Sequence, residues 1–133
     1  NETLPKRKSI CEAYSKALYQ KDWAEVPVFK SISDKVESSY HLFPLRIKDI
    51  TEEQRDQIIQ EIFNRDVSVN VHFIPVPKMS YYVNLGYNLD NYPITYNNFS
   101  REISLPVFYD LTEEMISQVI DAVISSVETV LNQ

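Results

Sequence analysis

The C-terminal stretch constrains the fold most. Met115, Ile116, Val119, Ile120, Val123, Ile124, Val127, Val130 and Leu131 recur at helical spacing, so one side of a long helix is apolar and the other polar. A stripe of that length has to be covered by another layer of the same domain, and a small sheet is the expected cover. Thr112 or Asp110 stands where an N-cap is needed.

Two more helices are legible upstream. Pro5 suits a first turn, and Ile10, Ala13, Tyr14, Ala17 and Leu18 follow on one face. Cys11 borders that face and reads as a small buried hydrophobe and not as a reactive thiol. Lys6, Arg7 and Lys8 stand near the helix start, where the dipole disfavours cations. Thr51-Glu52-Glu53-Gln54 has the pattern of a capping box, and Ile58, Ile59, Ile62 and Phe63 form the apolar stripe behind it. Asn64 to Asp66 ends that helix.

Between the helices the period changes to two. Val26 to Phe29, Ser39 to Ile47 and Ile103 with Leu105 and Val107 read as strands. So does Val67 to Ile74, with Val67, Val69, Val71 and Phe73 on one side and Ser68, Asn70 and His72 on the other. Pro75 and Pro77 stop this run, and short helices are predicted around Tyr81 to Leu85 and Ile94 to Arg101. The class is α+β: a small, mostly antiparallel sheet with helices on one face and a long amphipathic C-terminal helix.

A chain of 133 residues, 44% hydrophobic and 24% charged, is sized for one domain with one core over 1–133. Its net charge of -6 and its single short basic cluster argue against nucleic acid as a partner. No apolar run is long enough to span a bilayer, and no signal-like segment opens the chain, so a cytoplasmic protein without a membrane partner is expected. Gly86 is the single glycine and Cys11 the single cysteine. A self-contained phosphate cradle or Cys-rich metal site is therefore not expected. The chain opens on Asn1, which hints that an N-terminal portion precedes it.

Catalytic patterns are absent from these residues. Neither His41 nor His72 has a second histidine at metal-ligand spacing, and no Gly-x-Ser-x-Gly elbow occurs. Glu52 with Glu53 and Glu113 with Glu114 sit in first turns, where they favour the dipole. His41 alternates with Phe43, Leu45 and Ile47 and is expected at the edge of the core. His72 shares a polar strand face with Asn70 just ahead of the double-proline loop, and both a substrate contact and a structural hydrogen bond suit it. Arg46 and Arg101 are expected in surface salt bridges, with recognition of a carboxylate or phosphate as the alternative.

The ordered series KRKSICEAYSKAL, SSYHLFPLRI, EEQRDQIIQEIF, VNVHFIPV, SYYVNLGY and ISLPVFYDLTEEMISQVIDAV resembles the C-terminal portion of the DegT/DnrJ sugar aminotransferase family. The most specific pieces are the histidine and proline of VHFIPV, then Tyr82, Gly86 and Tyr87, then Ser104, Leu105 and Pro106 followed by Leu111 and Thr112. The resemblance covers nearly the whole chain.

It implies the small C-terminal domain of a fold-type I enzyme that uses pyridoxal phosphate to move an amino group, usually from glutamate, onto a nucleotide-linked keto sugar in polysaccharide or amino-sugar biosynthesis. The Schiff-base lysine and most cofactor ligands would belong to a larger N-terminal domain, so the segment alone would be inactive and hold no cofactor; Lys48 and Lys78 lack the family's surroundings. No catalytic, cofactor or metal residue is assigned within the chain. The full-length enzyme would be a homodimer. His72, Pro75, Tyr81 and Tyr82 are the residues expected to face the sugar, with core packing the alternative for each tyrosine. A competing reading is a free-standing, non-catalytic ligand-binding or regulatory module on a ferredoxin-like sheet.

Overall fold

The computed structural model of the protein describes residues 2–29 and 36–132. Helix α1 spans Thr3–Leu18 and buries Ile10, Cys11, Tyr14 and Leu18. Cys11 is fully enclosed. Burial, helped by the charge of Glu12, pushes its thiol up to about 11, so it stays protonated and inert at neutral pH. Tyr14 sets its ring edge-on to Phe43 at 5.3 Å and donates its hydroxyl proton to the Pro106 carbonyl at 3.0 Å.

Helix α2, Glu52–Phe63, begins as its sequence requires: Thr51 Oγ1 accepts from Gln54 N–H while Gln54 Oε1 accepts from Thr51 N–H. Both orphan donors are satisfied locally, which is why four residues suffice to start the helix. Thr51→Ala should lower the unfolding free energy by about 1 kcal/mol. A shifted urea midpoint at unchanged slope would show it, and an unmoved midpoint would show that the box adds nothing.

Helices α3 (Ser80–Asn84) and α4 (Pro93–Ser100) are short, and α5 runs over Glu113–Leu131. Thr112, not Asp110, is the α5 cap, its hydroxyl accepting from Met115 N–H at 3.2 Å. The buried stripe of α5 is Ile116, Val119, Ala122, Val123, Ser126, Val127 and Val130. Ala122 and Ser126 join it because close packing against α1 and α2 favours small residues. Met115 and Leu131, assigned to that stripe by spacing, lie at its exposed margin.

Strands β1 (Ala24–Glu25), β2 (Phe43–Ile47) and β3 (Glu102–Leu105) pair antiparallel in the order β1-β2-β3. Among the described residues this is not a ferredoxin-like sheet. The register sets Phe43 opposite Leu105 and Leu45 opposite Ile103. All four are buried with the inner faces of α1, α2 and α5, whereas Pro44, Arg46, Glu102 and Ser104 stand on the opposite face. Helices therefore cover one side of the sheet.

Four strand expectations are corrected. Val26 to Phe29 does not pair: Pro27 lacks a donor, and Phe29 turns inward to meet Tyr40 and Phe43, with ring centroids 5.1 and 6.1 Å away. Strand β2 starts at Phe43 instead of Ser39, because Tyr40 adopts a left-handed φ of 49° that breaks the extended run. Val67 to Ile74 makes one bridge, Asn70 with Ser104. Its apolar alternation fades outward, from Val67 at 6% exposed to Phe73 at 83%. Likewise β3 ends at Leu105, before Pro106 and Val107.

Candidate functional site

The sheet face away from the helices forms the floor of a groove. Strands β2 and β3 supply Pro44, Arg46 and Glu102, α4 supplies Phe99, and the extended segment after the Asn70 bridge supplies His72, Phe73 and Pro75 as one wall. The hollow measures about 500 Å³. A shallower one of about 990 Å³ adjoins it and shares Leu42, His72, Phe73 and Phe99. Apolar rings with a few convergent polar groups are the composition of a small-molecule site.

Each expected site residue has a definite place. His72 and Pro75 come together in the groove, His72 exposed and Pro75 buried in the wall. Tyr81 and Tyr82 stand on α3, outside both hollows. Tyr81 is 69% exposed and Tyr82 is half-buried, their rings edge-to-face at 5.4 Å. Tyr82 also meets Tyr87 at 5.7 Å across a helix stop in which Gly86 N–H donates to Val83 O and Tyr87 N–H to Tyr82 O. That stop needs a left-handed residue, and Gly86 supplies it with φ 89°. A side-chain atom built on Gly86 would meet nothing within 4 Å, so backbone conformation and not close approach of a ligand calls for glycine there.

His41 is not at the core edge. The turn at Tyr40 takes it out of the alternation, and it is exposed along the wider hollow. Arg46 does form the expected ion pair, its Nε 3.3 Å from Glu25 Oε2, and it also donates to Asn98 Oδ1 at 3.1 Å. Arg101 does not lie on the surface. It is 8% exposed, donates to the carbonyls of Ile47 and Asn97, and meets Glu25 at 3.3 Å.

Sequence reading missed two residues here. Arg55 is buried under the groove, donating to the carbonyls of Phe99 and Glu102 and to the carboxylates of Asp56 and Glu52, with its guanidinium 5.2 Å from the Phe99 ring centroid. Its signal was positional: three residues before Ile58 and seven before Ile62, it shares their buried face. Glu102 is 6% exposed and accepts from His72 N–H at 2.9 Å and from Ser104 Oγ at 2.6 Å.

The paired acids resolve into different roles. Glu53 and Glu114 are fully exposed, and backbone N–H groups at their own positions, then the cap threonines, hold their carboxyls below the usual range. Glu52 does more than complement a dipole. It gathers Lys78 at 3.6 Å, Arg55 at 3.5 Å and the Tyr96 hydroxyl at 3.0 Å, which fastens the excursion between Val76 and Ser100 to the start of α2.

Lys78 is engaged by Glu52 and the Phe99 ring, Lys48 Nζ donates to the Asp22 carbonyl at 2.8 Å, and neither lines the groove. The guanidinium in the groove, Arg46, is held by Glu25 and Asn98.

Residues 1–124 match the family model of the DegT/DnrJ/EryC1/StrS aminotransferases. The chain belongs to this family. Among solved structures it is similar to Spr1654 from Streptococcus pneumoniae, assigned as a sugar aminotransferase: in the apo-form the identity is 33% and the TM-score 0.91, over 98% of this chain and 32% of that one. The same protein is known in a PLP-form. Among curated relatives, the spore coat polysaccharide biosynthesis protein SpsC of Bacillus subtilis is 26% identical over 79% of this chain and 28% of its own length. The UDP-4-amino-4,6-dideoxy-N-acetyl-beta-L-altrosamine transaminase of Campylobacter jejuni is 25% identical over 98% of this chain and 34% of its own. The chain thus spans about a third of the length of these relatives. Among its described residues no helix is long and apolar enough to cross a membrane.

Proposed function

We propose that this chain forms one wall of the substrate cleft of a pyridoxal-phosphate-dependent sugar aminotransferase whose cofactor is held by the remainder of a longer protein. The cofactor, once bound there, supplies the means of carrying an amino group from a donor such as glutamate to a keto carbon. The residues in hand bind and orient the acceptor. The observation that carries this reading is the groove in which His72, Phe73 and Pro75 face Arg46 and Phe99, in a chain whose family and well-matched structural relative are aminotransferases.

The proposed acceptor is a nucleotide-linked keto sugar, in keeping with the UDP-amino sugar named for the Campylobacter relative. Apolar rings suit the flat side of a pyranose, and the His72 imidazole supplies a polar contact to a hydroxyl or phosphate oxygen. Tyr81 and Tyr82 are proposed as further contacts presented by the exposed arm that follows the wall, and the longer protein as a cytoplasmic homodimer. Groove closure against the rest of the chain would exclude water from the acceptor.

The test is His72→Ala in the full-length chain, assayed with a UDP-linked 4-keto-6-deoxy hexose and glutamate. KM for the keto sugar should rise about tenfold, the worth of one hydrogen bond of about 1.4 kcal/mol, with the cofactor absorbance intact and kcat little changed. An unchanged KM would remove His72 from the substrate and with it the main support for this reading.

A further inference from the structure

The geometry points to Glu102, backed by Arg55, as the positioning residue that decides where the His72–Pro75 wall stands; this rests on reading that wall as part of the substrate cleft. Asn70 and Ser104 exchange two backbone hydrogen bonds, of 3.2 and 2.7 Å. In an antiparallel ladder such doubly bonded pairs recur at every second residue. Two residues on from Asn70 and two back from Ser104, the next pair is His72 with Glu102.

That rung is diverted. His72 N–H donates to the Glu102 carboxylate, at Oε2, and the Glu102 carbonyl accepts instead from Arg55 Nη1 at 3.3 Å. Side chains thus take both ends of the bond that would have continued the ladder. Ser104 Oγ, donating to Glu102 Oε1 at 2.6 Å, fixes the carboxylate's orientation. Because the Glu102 side chain stands on the groove face of β3, His72 is drawn out of the sheet toward that face. Pro75 and Pro77 then prevent re-entry into the ladder.

Among the described residues, the bond from His72 N–H to Glu102 is the hydrogen bond that ties the backbone of residues 72–74 to the rest of the protein. A segment held by one bond has little local stability of its own, so loss of the carboxylate releases the wall. Glu102 acts through His72 and needs no contact with substrate.

The experiment uses the full-length chain with Glu102→Ala, Glu102→Gln and Ser104→Ala. It reads hydrogen exchange in peptides covering 70–75 alongside kinetics with a UDP-linked 4-keto-6-deoxy hexose and glutamate. Glu102→Ala should speed exchange at His72 about tenfold or more, with α5 protection unchanged, and raise KM for the keto sugar severalfold at nearly constant kcat. Glu102→Gln keeps an acceptor oxygen and should restore most of both, and Ser104→Ala should fall between.

Unchanged His72 exchange in Glu102→Ala overturns the inference, as does exchange in Glu102→Gln as fast as in the alanine variant. Should Glu102→Ala not fold, Ser104→Ala decides: it must speed exchange at His72 or the inference falls. A His72→Ala variant with normal KM would overturn the substrate-wall reading alone, since amide exchange judges the role of Glu102 independently. Raised KM in His72→Ala with normal KM in Glu102→Ala would overturn the positioning role while leaving the wall intact.

Discussion

Phe43→Ala should cost about 4 kcal/mol of unfolding free energy, the largest loss expected from any single truncation in this protein. Phe43 is fully buried, pairs with Leu105 in the sheet register, and packs its ring against Tyr14 and Phe29 at 5.3 and 6.1 Å. Cutting it back to a methyl group forfeits the transfer energy of a phenyl ring and leaves a cavity where helix α1 meets strand β2. Because a strand and a helix both press on that space, neither can collapse into it cheaply. Domains of this size hold roughly 5–15 kcal/mol in all, so the variant should be unfolded in part at moderate temperature. Phe43→Leu, which keeps most of the volume, should recover more than half of the loss. Urea denaturation followed by far-ultraviolet circular dichroism measures both, and an alanine variant within about 1 kcal/mol of the parent would mean that the ring is dispensable.

Arg55→Ala should cost about 3 kcal/mol, by a different mechanism. The side chain is 2% exposed, and its guanidinium satisfies the carbonyls of Phe99 and Glu102. Both carbonyls belong to the passage from α4 into β3. Removing the donor leaves the buried Glu102 carbonyl without a partner, takes from the Phe99 carbonyl its side-chain donor, with the Arg101 N–H remaining, and removes one of the two cations at the Phe99 ring, the guanidinium 5.2 Å away. Arg55→Lys should be intermediate, since one ammonium on a flexible stem cannot reproduce a planar fork that serves two carbonyls and two carboxylates. Thermal unfolding would rank the three proteins, and equal stability of the lysine and arginine forms would show that charge alone matters there.

The groove shows how far local information reaches. Of the four residues expected to face a sugar, His72 and Pro75 belong to one short run and share one wall of the groove, while Tyr81 and Tyr82 stand outside it on α3. Arg46, Glu102 and Phe99 come from β2, β3 and α4, and nothing in their own surroundings in the sequence says that they meet. Arg101 makes the point sharply: nothing beside it in the sequence sets it apart from an ordinary surface arginine, yet it is buried, donating to the Ile47 carbonyl of a distant strand.

The chain's own letters determined the main helices, the capping box of α2 and the family. A helix closes its hydrogen bonds within a few residues, so the stripes of α1, α2 and α5 and the threonine at position 51 carry their meaning with them, while the choice of Thr112 over Asp110 as the cap of α5 came from the structure. Tertiary structure alone decided which extended runs became strands, because a strand exists only where another segment offers its N–H and C=O groups. It decided the shape of the groove for the same reason: the rung that His72 would have made with β3 is taken by two side chains whose partners lie far apart in sequence.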